Sequence, residues 1–284
     1  MRILLTGASG QVGYQLERSL QGLGDVIAVG RAQMDLADLD QVRDVLRALR
    51  PGLVVNAAGY TAVERAELEP QLAFRINAEA PGVMAREAAA LGAAIVHYST
   101  DYVFDGHKEG AYVESDAANP LNVYGQSKLA GEQAIAAAGG AHLILRTSWV
   151  YGTRGDNFLT TMLRLAAERA PLRVVSDQVG APTWSRTVAD ASALILAQAC
   201  AGGAGWWRQH GGIYHLASQG QTSWHGFAEA IMAESGIDCA VAPLRSDDWP
   251  AAAVRPRNSA MNCARVLRLC RLPQWREGLR LCIK

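Results

Sequence analysis

The sequence predicts an α/β protein: a doubly wound parallel sheet with a smaller, largely C-terminal second domain. Three observations carry that expectation. Short apolar runs at 3–5, 26–29, 53–55, 94–98 and 143–146 alternate with stretches of helical periodicity, the pattern of strand-helix-strand units. Three glycines, Gly7, Gly10 and Gly13, stand where the first run gives way to the first periodic stretch. Small and polar residues follow the apolar runs at 56–59, 99–104 and 147–152, at the carboxyl ends of strands where open parallel sheets take their ligands.

The bulk properties narrow the partner. At 284 residues and 50% hydrophobic content the chain can bury a sizeable core. Twenty-seven basic residues against twenty-seven acidic ones give no net field for a nucleic acid polymer or an anionic membrane, so a small ligand is expected. The five cysteines, Cys200, Cys239, Cys263, Cys270 and Cys282, are odd in number and lack C-x-x-C spacing, which argues against a disulfide framework or a zinc site. The glycine-rich segment begins at Gly7, too early for a signal peptide, and no apolar run reaches membrane-spanning length, so a cytoplasmic protein is expected.

Taken in order, the first strand and glycine turn open a helix through Tyr14, Leu16, Leu20 and Leu23. With G-x-x-G-x-x-G spacing, the glycines allow a tight turn and close backbone approach, and the helix N-terminus offers unpaired N–H groups to a diphosphate. The alternative is a tight turn that binds nothing. Past the second strand, roughly 20 residues beyond the glycine loop, a carboxylate would grip a free ribose 2′-hydroxyl. Gly30 and Arg31 stand there instead, and a guanidinium suits a 2′-phosphate, so NADP is favoured over NAD unless Arg31 is simply solvated. Asp35 and Leu36 are placed to reach an adenine, although Asp35 serves equally as a turn acid before a helix at 39–50.

After the strand at 53–55, the small residues Ala57, Ala58 and Gly59 let a cofactor lie against backbone, and a loop and helix begin at Thr61. Asn77 falls inside a helical stretch running to about Leu91, where a structural role is as plausible as a functional one. The strand at 94–98 ends in STDYVF, making Ser99 and Thr100 candidates to hydrogen-bond a substrate oxygen. An irregular segment at 106–122 leads to a helix carrying Tyr124 and Lys128. Four residues apart, a phenol and an ammonium share a helix face; the charge would lower the phenol's pKa and fit it for proton transfer during carbonyl-alcohol interconversion. An isolated Y-x-x-x-K is usually a surface pair, so the reading depends on context.

The strand at 143–146 ends at Trp149, either a ligand wall or an interface filler. Beyond 152 the alternation loosens: a helix at 157–169, a strand at 174–175, a turn at 177–183, a helix from about 187 to 199, a glycine-rich connection at 202–212, a strand at 213–216 and a helix near 227–234. Arg255 and Arg257 flank Pro256, an arrangement that could clamp a diphosphate or form a solvated loop; if it is a clamp, alternation suggests that one arginine points inward, with Asn258 and Ser259 as neutral partners.

Together the glycine triplet, STDYVF at 99–104, Tyr124 with Lys128, and RTSWVYG at 146–152 resemble the extended short-chain dehydrogenase/reductases. More narrowly, QVG at 11–13, NAA at 56–58, TAV at 61–63, NPLNVYG at 119–125, DQVGAPT at 177–183 and RPRNS at 255–259 resemble the dTDP-4-dehydrorhamnose reductase family along nearly the whole chain. The resemblance implies a Rossmann-type cofactor domain at 1–152, completed by 185–213, and a sugar-nucleotide domain from 153–184 and 214–284.

It also implies NADPH in preference to NADH, with NADH accepted, and a dTDP-sugar as substrate. Gly10, Gln11, Val12, Asp35, Leu36, Ala58, Gly59, Tyr60 and Tyr98 match cofactor contacts, with Gly7, Gly13, Arg31, Ala57, Tyr124 and Lys128 as further cofactor-binding candidates; Thr100, Asp101 and Trp149 match substrate contacts, with Thr61 as a further candidate. Thr100, Tyr124 and Lys128 form the catalytic trio, with threonine where many relatives carry serine. Some relatives hold magnesium through glutamates at a dimer interface; this chain has Gln15 at one such position, so no metal ligand is assigned and both monomer and homodimer stay open. Similar folds also serve as a regulatory subunit of methionine adenosyltransferase, against which the intact trio argues, and as sugar-nucleotide epimerases or dehydratases, which usually need further acid/base groups than Asp101.

Overall fold

Helical crossovers force successive strands to run parallel, and the computed structural model, which describes residues 1–168, 172–248 and 251–284, joins six of them in one sheet. β1 (Arg2–Thr6), β2 (Asp25–Val29), β3 (Leu53–Asn56), β4 (Ala94–Thr100) and β5 (His142–Thr147) pair with the Gly212–His215 strand in the spatial order Gly212–His215, β5, β4, β3, β1, β2. From β1 the chain steps to β2 on one side and then returns to β3 on the other, which opens a crevice at the carboxyl ends of β1 and β3.

Helices cover both faces. Gln11–Ser19 and Ser185–His210 pack over Leu5, Val55, Val96 and Tyr98, while Leu39–Leu49, Ala80–Ala90 and Val123–Ala137 pack over Leu4, Val54, Ile95 and Ile144. Burial on both sides explains why the strands read as near-continuous apolar runs. A separate core unites Tyr151, Leu159, Phe227, Ile231 and Leu279, drawn from the short Val150–Tyr151 strand and the Phe158–Ala167, Trp224–Ser235 and Trp275–Ile283 helices. The segment from Met261 to Leu272 instead returns to the sheet, packing with Ile195 and Tyr214.

Several elements differ from expectation. The glycine-rich connection is mostly helical: two helical segments within Ser185–His210 meet there at a kink, where Gly203 leaves helical geometry (φ 54, ψ −146). Burial of Trp206 outweighs the weak helix propensity of the glycines, and Gly202 makes room for it, because a Cβ there would stand 2.7 Å from the Trp206 Cβ. This helix is also long and apolar enough to cross a membrane, contrary to the sequence reading, yet Val188, Ile195, Leu196 and Ala199 are buried in the sheet core. The helix expected at 157–169 is Phe158–Ala167; Arg169 lies outside the described residues. The Val241–Leu244 strand and Trp275–Ile283 helix have no clear sequence signal, the first carrying Pro243 and the second having a markedly polar outer face.

Candidate active site

The glycine turn is shaped by contact. Gly7 has φ +73, and a Cβ on it would stand 2.7 Å from the Ala57 backbone; one on Gly13 would stand 2.0 Å from the Gly7 oxygen. Gly10 begins the Gln11–Ser19 helix without a side-chain cap, leaving first-turn N–H groups for an anion. Gln11 Oε1 is buried without a partner, while Val12 packs against the core. Close backbone approach and open backbone donors fit a dinucleotide diphosphate.

Arg31 is exposed in the turn directly after β2. Asp35 Oδ1 accepts from the Ala37 N–H at 3.0 Å, so this carboxylate organises the turn before the Leu39–Leu49 helix. Leu36 commits its side chain to the core beside Met34 and Val42. At the end of β3, the Ala58 N–H donates to Thr6 Oγ1 at 3.3 Å, and Gly59 lies where a Cβ would be 3.8 Å from Lys128 Nζ. Tyr60 is held at both backbone ends by Asn77: its N–H donates to Oδ1 at 2.8 Å, and its carbonyl accepts from Nδ2 at 3.0 Å. Its hydroxyl donates to Glu69 at 2.6 Å. Thr61 is exposed just beyond.

Asn77 belongs to a π-helical turn, Arg75–Glu79, a distortion that recurs at functional sites. Asn77 Nδ2 also donates to Ser127 Oγ at 3.0 Å, so one amide sets the spacing between the Gly59 loop and the Val123–Ala137 helix. That helix starts at Asn122, whose Oδ1 accepts from the Gly125 N–H at 2.8 Å. Two glycines draw it close: a Cβ would stand 2.2 Å from the Tyr102 oxygen at Gly125 and 2.0 Å from the Asn77 oxygen at Gly131.

The trio comes together at the end of β4. Thr100 Oγ1 donates to Asp101 Oδ1 at 3.1 Å and accepts from the Tyr102 N–H at 3.2 Å, and it sits near enough to the Tyr124 phenol to influence its ionisation. Burial pushes the Tyr124 phenol up to about 12 while the Thr100 hydroxyl acts to lower it. This corrects the expectation of a lowered phenol. Lys128 shares the helix face, but its Nζ donates to the Tyr98 carbonyl at 2.6 Å and faces His97 Nε2 at 3.1 Å, and no hydrogen bond joins it to Tyr124 among the described residues. Burial pulls the Lys128 ammonium down to about 8, with the charge of Glu132 opposing it. Tyr98 turns its phenol away, to Ser192 Oγ at 2.8 Å, leaving its backbone on the site side.

Asp101 is buried, and desolvation pushes its carboxyl up to about 7 against hydrogen bonds from Ser259 and Thr100. Its Oδ2 and the Ser99 hydroxyl have no partner among the described residues. Trp149, in left-handed backbone geometry (φ 46), stacks on Trp224 with centroids 3.6 Å apart and also packs tightly on Gly180, where a Cβ would stand 2.4 Å from its ring. That leaves it placed to wall off a ligand more readily than to stack on one.

A cavity of about 780 Å³ is lined by Phe158, Trp224, Gln178, Val254, Arg255 and Arg257 among others, and Thr100, Tyr124 and Lys128 are not among its lining residues. Arg255 is the more inward arginine, 26% exposed and 2.5 Å from Glu64, while Arg257 is 65% exposed with Asp247 at 3.7 Å. Asn258 does not serve as the expected neutral partner: its Nδ2 donates to the Lys108 and Gly110 carbonyls and its Oδ1 accepts from the Ala260 N–H. Ser259 is likewise engaged, with Asp101 and Val179. Sequence reasoning missed His97, Glu64 and Trp224; a histidine inside an otherwise apolar strand was the available signal for the first.

A glycine cradle at the sheet's switch point, a tyrosine beside a threonine at the end of β4 and a lysine one turn on define an oxidoreductase of the extended short-chain dehydrogenase/reductase class. The resemblance reaches further than the class. The chain belongs to the family described as RmlD substrate binding domain, whose model matches residues 1–284. It is 46% identical to the dTDP-4-dehydrorhamnose reductase of Burkholderia thailandensis, over 100% of this chain and 98% of that protein. The crystal structure of a dTDP-4-dehydrorhamnose reductase from Clostridium acetobutylicum superposes with a TM-score of 0.92 at 34% identity, covering 100% of this chain and 98% of that one. The enzyme from Bacillus anthracis, solved in complex with NADP, gives 0.90 at 35% identity over 99% and 98%.

Proposed function

We propose that the chain reduces the C4 ketone of dTDP-4-dehydro-6-deoxy-L-mannose to dTDP-L-rhamnose, with NADPH as the preferred reductant. The observation that carries this reading is the contact between Thr100 and the Tyr124 phenol at the end of β4, with Lys128 one helical turn along. NADPH supplies the hydride. The protein's share is to bind, orient and move a proton.

Gly7, Gly10, Gln11, Val12 and Gly13 hold the diphosphate on helix N–H groups, Arg31 takes the 2′-phosphate, and Asp35 with the Leu36 backbone borders the adenine. Ala57, Ala58, Gly59, Tyr60 and the Tyr98 backbone line the nicotinamide side. Lys128, already bonded to Tyr98 and His97, keeps a donor for the nicotinamide ribose. Tyr124 gives its proton to the ketone oxygen while Thr100 orients that oxygen. A phenol raised by burial holds its proton at neutral pH, as a general acid must, and the ammonium offsets charge as it develops on the phenol.

Thr61, Asp101, Trp149, Arg255 and Arg257 bind the sugar nucleotide. The cofactor half is 1–152 with 185–213 and the 261–272 segment that packs on the sheet, and the substrate half is 153–184 with the remainder of 214–284. Five free cysteines suit a reducing, cytoplasmic setting. Purified protein given NADPH and a panel of nucleotide 4-keto sugars tests the reading: NADPH consumption with the dTDP-linked 4-keto-6-deoxy sugar is expected, and none with that substrate would contradict it.

A further inference from the structure

The sheet register builds a polar row behind Lys128. Thr6, Asn56 and His97 are in-register neighbours on β1, β3 and β4, and such residues on parallel strands project to one face. All three are buried, Asn56 and His97 completely. Thr6 Oγ1 lies 2.7 Å from Asn56 Oδ1, Asn56 Nδ2 lies 3.0 Å from His97 Nδ1, and His97 Nε2 lies 3.1 Å from Lys128 Nζ. Leu4, Val54, Ile95 and Ile144 around the row are apolar. Apolar side chains would fill this space without the cost of burying polar groups, so the row is accounted for by the group it ends on.

We propose that His97 is a positioning residue for Lys128: a neutral imidazole whose Nε2 accepts from the ammonium and, with the Tyr98 carbonyl, fixes two of its three N–H bonds and keeps it charged. The proposal rests on the reading above, in which Lys128 works as an ammonium beside Tyr124. Burial and the Lys128 charge hold His97 well below the usual histidine range, so it is available as an acceptor. Accepting at Nε2 places the ring proton on Nδ1, which then requires the oxygen end of the Asn56 amide.

A half-turn of that amide supplies the oxygen and directs its NH2 to Thr6 Oγ1, which already accepts from the Ala58 N–H. In the other orientation, with Nδ2 toward Nδ1, the ring proton sits on Nε2 and Lys128 is a neutral amine. Both arrangements keep the contacts of the row, the flipped one freeing the Thr6 hydroxyl proton from Asn56, and the ammonium form prevails below the Lys128 pKa of about 8. The other groups around Lys128 are Tyr124 and Glu132 on its own helix, Glu132 being held by Arg146 of β5; the Tyr98 phenol bonds Ser192, Tyr60 bonds Glu69, and Asp101 lies beyond Tyr124.

An acceptor on the ammonium favours the charged form, so losing it lowers the Lys128 pKa, and activity that needs the ammonium is lost at a lower pH. The test compares His97→Leu with His97→Gln, whose amide oxygen reaches about as far as Nε2. Two readouts are used: the Lys128 titration by side-chain NMR in protein without ligands, and the kcat–pH profile with NADPH and substrate. H97L is expected to lower the Lys128 pKa by about one unit or more, the scale of a hydrogen bond to a charged group. The alkaline limb should move with it, and H97Q should restore both.

A Lys128 titration unchanged in H97L, or displaced equally in H97L and H97Q, overturns the proposal. If H97L does not fold, H97N, a methylene too short to reach Nζ, replaces it, and the same two outcomes decide. A wild type that turns over no sugar nucleotide would overturn the reductase reading, while the ligand-free titration would still decide the role of His97.

Discussion

The Glu64 carboxylate lies 2.5 Å from the Arg255 guanidinium and also accepts from the Ala252 and Ala253 N–H groups at 2.8 and 3.0 Å. It thereby fastens the segment that lines the large cavity to the short helix following the Ala57–Tyr60 loop. Asn122 adds a second tie, donating to the Val254 carbonyl at 2.8 Å. Arg255 is thus held in one orientation, whereas Arg257 stands largely in solvent. Arg255→Ala should weaken dTDP-rhamnose binding roughly tenfold to a hundredfold, the scale of a charge-assisted bond, and Arg257→Ala by less. Glu64→Ala should weaken it roughly fivefold, because part of the tie is screened by water. Titration calorimetry with dTDP-rhamnose and separately with NADPH checks this; equal loss of both ligands would speak for general damage.

Tyr124→Phe removes the transferable proton and little else. Turnover should fall by about 10²- to 10⁴-fold, while NADPH binding followed by fluorescence stays near the wild-type value. A near-normal rate would take the phenol out of the chemistry.

Arg31 follows β2 where a ribose-binding acid would stand. The wild type should prefer NADPH over NADH in kcat/KM, and Arg31→Ala should reduce that preference by roughly tenfold through the NADPH arm alone. Equal efficiency with both cofactors in the wild type would leave Arg31 without a role in cofactor choice.

Much of this site was legible because its parts follow strands in sequence. The glycine triplet, Thr100 and the Tyr124/Lys128 pair each sit at a strand end or on a helix face, so periodicity located them and the parallel sheet brought them together. What sequence could not supply was the direction of each side chain's bonds. Spacing put Lys128 beside Tyr124 but gave no sign that its ammonium turns to Tyr98 and His97, or that burial outweighs it at the phenol. Glu64 and Arg255 meet across 191 positions, a tertiary contact that no local pattern records. The helix through Gly202 and Gly205 was missed because the pull of the buried Trp206 exceeds a local preference for turn.

Arg146 binds Glu132 bidentately, at 2.9 and 2.6 Å, with both side chains almost fully buried, and so ties β5 to the helix that carries Tyr124 and Lys128. Glu132→Gln leaves the guanidinium without a compensating charge and should cost about 3 to 5 kcal/mol of stability, read from urea unfolding. Loss below about 1 kcal/mol would mean that the pair is not a structural anchor.

In the proposed reaction hydride passes to C4 of the sugar while Tyr124 protonates the oxygen. Incubating the protein with NADPH deuterated at the transferable position of its nicotinamide and with dTDP-4-dehydro-6-deoxy-L-mannose, then reading the product by NMR, tests it most directly. The expected product is dTDP-L-rhamnose carrying deuterium at C4, with no such product from Tyr124→Phe above a trace. A product without deuterium at C4, or one in which the ketone survives, would contradict it.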